Sequence, residues 1–152
     1  MSIHFIADLH LGEHTPARNM LLMKTLVQWV GNIEALYVLG GFFAAWLGDD
    51  DRHHVNEELS ATLKAFAATT PIYMQHGSGD FLLGQAFAER TGVVLLPEVA
   101  VLQAHGQTAL LLHGDSLHTD NTAYVALRQQ NRSPEWQTSF LNQSVPERRL
   151  MP

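Results

Sequence analysis

Apolar and polar positions along this chain switch repeatedly between a strand-like and a helix-like rhythm. Ile3–Ala7, Ala35–Leu39 and Ile72–Gln75 are short apolar runs of strand length, the last opened by Pro71. Between them, Met20, Leu22, Met23, Leu26, Val27 and Val30 fall close to i, i+3, i+4, i+7 spacing. That spacing predicts an amphipathic helix over Ala17–Val30. A second helix is predicted from a cap at Asn56 through Ala68, with Leu59, Leu63 and Phe66 on its buried face. A third covers Leu82–Thr91 and stops at Gly92, a residue suited to a left-handed C-cap. Three further strand-like runs follow at Val93–Leu96, Val99–Gln103 and Ala109–Leu112, with His105-Gly106 joining the last two. This order predicts an α/β sheet protein.

From Arg128 onward the sequence turns polar and contains Pro134 and Pro146, with one short amphipathic candidate at Glu135–Leu141. The predicted organisation is therefore one α/β domain over residues 1–127 and a polar, poorly ordered tail over 128–152.

Composition narrows the classes. With 152 residues, 46% hydrophobic and 16% charged, the chain is long and apolar enough for a real core. The net charge of −6, without any basic run, argues against nucleic acid as a partner. Cysteine is absent, so disulfides and thiolate metal sites are excluded. Asp8 and His10 interrupt the N-terminus before an apolar signal-peptide core could form, and no apolar stretch is long enough to span a bilayer. A cytoplasmic location is the expectation, with a peripheral contact on a membrane left open.

Candidate chemistry sits where apolar runs end. Asp8-Leu9-His10 follows the first run, and strand alternation would put its carboxylate and imidazole on one side, able to share a metal ion. Gly40-Gly41, His76-Gly77-Ser78-Gly79-Asp80 and His113-Gly114-Asp115 close three more runs. In α/β folds the C-terminal ends of strands are where sites form. The plainer readings are a solvated loop for Asp49-Asp50-Asp51, ordinary helix core for Met20–Met23, and surface histidines at His4, His14, His105 and His118.

Five stretches carry a family likeness: FIADLHLGE (Phe5–Glu13), ALYVLGGFFAAWLGDDD (Ala35–Asp51), HGSGDFLLGQAFAERTG (His76–Gly92), LLPE (Leu95–Glu98) and LLLHGDSLHTDN (Leu110–Asn121), followed by Tyr124. On these the chain resembles the calcineurin-like metallophosphoesterases, and most closely their lipid A branch. The resemblance covers nearly all of this chain and the N-terminal three-fifths of that family's usual length. It implies part of an α/β/β/α sandwich with two metal ions, usually Mn²⁺. The implied activity is hydrolysis of the nucleotide-sugar lipid UDP-2,3-diacylglucosamine to UMP and lipid X, at the cytoplasmic face of the inner membrane. It also implies Asp8, His10 and His113 as metal ligands and Asn121 and Tyr124 as substrate-binding positions.

Several positions depart from the family pattern. Gly41 stands where the resemblance places the carboxylate shared by both ions, and Ser78 where it places a metal-binding asparagine. Gly79 replaces a substrate-contacting arginine, Ala44 a glutamate and Asn121 an aspartate. Two dications ~3.5 Å apart repel by about 5 kcal/mol even at water's dielectric, and a shared carboxylate normally offsets this. The expectation is therefore at most one weakly held ion and impaired or lost hydrolysis. A non-catalytic remnant that binds one ion or a partner is the alternative. If part of the sandwich is absent, an uncovered sheet face is expected to favour self-association.

Overall fold

The computed structural model describes residues 1–151. Four parallel strands, β1 (Ile3–Ile6), β2 (Ala35–Leu39), β3 (Ile72–Gln75) and β4 (Val94–Leu95), lie side by side in sequence order. Helices α1 (Pro16–Trp29), α2 (His54–Ala67) and α3 (Gln85–Thr91) make the crossovers that parallel neighbours require. A hairpin of β5 (Ala100–Ala104) and β6 (Gln107–Leu111) follows.

Alternation along the central strands sorts their side chains into two cores. Leu36, Val38, Ile72 and Met74 point to the helices and meet Leu22, Leu26, Leu59, Leu63, Phe66 and Phe87. Ala35 and Tyr37, out of phase with these, pack with Leu111 of β6 and with Tyr73 and Leu102. Strands buried on both faces read as continuous apolar runs, which is why β2 and β3 are legible without alternation. The layering is helices, parallel sheet, hairpin, in agreement with the expected α/β class. Gln75, 1% exposed, ties sheet to hairpin by donating its amide to the carbonyls of Pro97, Glu98 and Leu111.

Two turns form as predicted. His105 (φ 54°) and Gly106 (φ 74°) are both left-handed, as a two-residue hairpin turn requires. Gly92 (φ 79°) ends α3, its N–H donating to Ala88 O at 2.8 Å.

Three expectations are corrected. The helix predicted from Asn56 starts at His54, because the His53 ring accepts the Val55 N–H and takes over as cap. The helix predicted from Leu82 starts only at Gln85. Its first free N–H groups, on Gly84 and Phe87, donate to the Asp49 carboxylate from a distant loop at 3.1 and 2.9 Å. Asp49 is thus a tertiary cap, which local sequence does not announce.

The third correction concerns the tail. Residues 128–151 are folded, not poorly ordered, as the end of α4 (Thr122–Arg132) followed by α5 (Pro134–Leu141) and α6 (Val145–Arg149); Pro152 lies outside the described residues. Trp136 stacks on Phe140 at 4.9 Å, and Phe140 enters the main core. Arg148 is 2% exposed and donates to both Asp50 oxygens (2.7 and 2.6 Å) and to Leu47 O and Gln143 O. Arg149 pairs with Asp51, itself buried. The three aspartates read as a solvated loop are therefore each engaged. A few aromatic and cationic anchors fix a segment whose average composition is polar.

Because Phe140 is a core residue, Phe140→Ala is expected to cost about 3 kcal/mol in urea-induced unfolding. A loosely attached tail would leave the midpoint unchanged.

Candidate active site

The ends of β1, β2 and β3 and the segment after β6 meet along one edge of the sheet. β1 stops at Ile6, and Asp8 (φ 57°) and His10 (φ 50°) then take left-handed backbone conformations. Such conformations are uncommon for residues with a Cβ and persist only where the surroundings enforce them. Here hydrogen bonds do so: Asp8 N–H donates to Gly40 O (3.1 Å), His10 N–H to Gly41 O (2.8 Å) and Leu11 N–H to Phe42 O (2.9 Å). Strand pleating therefore does not bring Asp8 and His10 together. Two strained turns laid along the end of β2 do.

Asp8 Oδ1 lies 3.4 Å from His10 Nε2 and 3.8 Å from His113 Nε2. His113 bonds through Nδ1 to Leu39 O at 2.6 Å. A carbonyl only accepts, so the proton sits on Nδ1 and Nε2 is the nitrogen turned toward Asp8. A β-carbon on Gly41 would stand 2.9 Å from Asp8 Oδ1. Any side chain at position 41 thus meets Asp8, the place where the resemblance puts the shared carboxylate. Gly40 is constrained differently: a β-carbon there would collide with the His113 ring.

The loop after β3 is organised by Asp80, fully buried, a residue the sequence reading left unassigned. Its carboxylate accepts N–H groups from Gly77 (2.7 Å), Phe42 (2.9 Å), Phe43 (3.2 Å) and, more weakly, Gly41 (3.4 Å). Ser78 is exposed. Gly79 presses on the backbone of Ala44, whose carbonyl a β-carbon at 79 would strike. A lone aspartate after glycine gave no signal of this role, since its donors lie on another strand's loop.

Asn121 and Tyr124 are occupied locally. The Asn121 side chain caps α4 by accepting the Tyr124 N–H (3.1 Å), and the Tyr124 hydroxyl donates to Asp115 Oδ2 (3.0 Å). Arg128, one turn on, donates to the same oxygen at 2.9 Å. Burial pushes the Asp115 carboxyl up, but the bonds from Arg128 and Tyr124 outweigh it and hold it below the usual carboxylate range. Arg132 continues the stripe, donating to Gly77 O (3.1 Å) and covering the Phe81 ring. Asp115 so anchors α4 to the site edge.

Asp8 Oδ1 lies within 3.8 Å of both imidazoles, but the three side chains as they stand are not spaced around an ion. Position 41 offers no side chain, and Ser78 is exposed. Among the described residues, no group of three or more His, Cys, Asp or Glu side chains is placed to hold a metal. The residues do not fit a two-ion centre.

Similarity to known proteins agrees with the sequence motifs. A UDP-2,3-diacylglucosamine hydrolase of Chromobacterium violaceum is 47% identical over 148 residues, 97% of this chain and 62% of that protein. Another, from Cellvibrio japonicus, is 42% identical over 152 residues, 99% of this chain and 63% of its own length. The chain spans about three-fifths of the length of these relatives. Among solved structures, a protein of unknown function from Aquifex aeolicus shares the fold with a TM-score of 0.50. It is 14% identical, matching 71% of this chain and 57% of its own. No protein-family model matches.

Two outcomes follow from this geometry. Asp80→Asn, which turns an acceptor into a partial donor facing several N–H groups, is expected to cost about 2–4 kcal/mol in chemical denaturation. Asp115 has a depressed folded pKa, so its stabilisation is full above the ordinary aspartate value of about 3.9 and is lost as pH falls through the folded value. Acid titration followed by helical circular dichroism is expected to show α4 loosening below about pH 4. Asp115→Asn should abolish that transition.

Proposed function

We propose that this chain is a phosphoesterase-type scaffold with strongly impaired hydrolysis, related to the UDP-2,3-diacylglucosamine hydrolases it matches over three-fifths of their length. It holds at most one Mn²⁺, and weakly. The observation that carries this reading is Gly41: the position that faces Asp8 directly bears no carboxylate. Without an anion between them, two dications are left with a repulsion of about 5 kcal/mol or more. A bound ion would supply Lewis-acid polarisation of a phosphoryl oxygen. The residues present would do the holding: Asp8 by one oxygen, His10 and His113 by their Nε2 atoms. Leu39 O fixes the His113 tautomer, and Asp80 fixes the loop that carries Ser78 and Gly79.

The substrate class in this reading is a nucleotide-sugar lipid, which would bring the chain to the inner-membrane surface. A working hydrolase is the second reading. It is favoured by one observation, the retained convergence of Asp8, His10 and His113.

Titration calorimetry with Mn²⁺ is expected to give no more than one weak site per chain, and UDP-2,3-diacylglucosamine should release no UMP above background. Two tight sites, or UMP release sensitive to Asp8→Ala, would establish the second reading instead.

A further inference from the structure

We infer that Arg132, in the last turn of α4, grips a phosphoryl group at the edge of the candidate site. Its guanidinium lies across the loop that follows β3: Nη2 donates to Gly77 O at 3.1 Å, and the central carbon sits 5.6 Å from the centre of the Phe81 ring. A guanidinium carries five N–H donors in a rigid fork. Among the described residues, Gly77 O is the one acceptor within hydrogen-bond distance of this one. Asp115 Oδ2 stands 3.9 Å away and already accepts from Arg128 and Tyr124. The other nitrogens of Arg132 are not buried, so they reach solvent with no partner in the chain. Arg128 and Arg148, by contrast, use their forks on carboxylates.

Those spare donors open on the site edge. Gly77 adjoins Gly41, since a β-carbon on Gly77 would stand 2.3 Å from Gly41 N, and a β-carbon on Gly41 would meet Asp8. Among the described residues, neither the Ser78 nor the Gly79 N–H finds an acceptor. Positions 77 to 79 bear no charge of their own, and Arg132 brings one to them from α4. A planar cationic fork beside open backbone N–H groups suits phosphate oxygens, which accept several hydrogen bonds at once. Clamping one carbonyl would need only one donor, which lysine or glutamine also supplies.

The ligand class rests on the proposed function, in which a nucleotide sugar presents its diphosphate here; the grip itself needs neither metal nor hydrolysis. UDP added to the whole chain in EDTA is expected to shift the Ser78 and Gly79 amide signals in nitrogen-15 NMR spectra. Arg132→Gln should weaken UDP binding about tenfold, the worth of a lost charge-assisted bond to an anion. Arg132→Lys keeps the charge and the bond to Gly77 O but not the fork, and should weaken it several-fold. Lys24→Gln removes an equal charge from an exposed position on α1 and should leave binding unchanged. Inorganic pyrophosphate should show the same dependence on Arg132, because the shared group is the phosphate. Amide signals that do not move, or UDP affinity equal to the parent's in both Arg132 variants, overturn the inference. UMP release with Mn²⁺ is measured separately, so a chain that hydrolyses the nucleotide sugar would sink the proposed function and leave the Arg132 result standing.

Discussion

The Asp80 carboxylate is the constraint on which the site edge depends. The strand ends of β2 and β3 leave backbone N–H groups with no ladder partner, and a buried unpaired donor costs about 1–3 kcal/mol. One anion gathers four of them, from Gly41 to Phe43 on one side and Gly77 on the other. That fixes the Gly40–Phe42 carbonyls, which in turn hold Asp8, His10 and Leu11 in line. The strained backbone at Asp8 and His10 is thus supported from β3 through β2.

The edge of the site is therefore framed by bonds within the protein itself. The scaffold residues Asp8, Asp80, His113 and Asp115 all make bonds within the protein. A side chain at Gly41 or Gly79 would press on Asp8 or on the Ala44 carbonyl, so these positions are coupled to that frame.

Bonds within the protein also frame the tail. Its helices are short and polar, below the length at which isolated helices persist in water. They hold because Trp136, Phe140 and Arg148 insert into a core and a loop built a hundred residues earlier. Arg148 satisfies its donors with four residues at once, so the Leu47–Asp51 loop and α6 order each other.

By itself the sequence determined the parallel strands, the three crossover helices, the hairpin turn and the family likeness. These follow from periodicity, glycine placement and motifs that are local or contiguous. It also put Gly41 at the position where the resemblance expects a carboxylate, since flanking matches align the register. Tertiary structure alone decided that Asp8 and His10 meet through left-handed turns, that Asp49 caps a distant helix and that Asp80 knots two loops. It alone decided that the tail folds. Each of these rests on a donor and an acceptor far apart in the chain, and pairing at that range leaves no periodic trace in the order of residues.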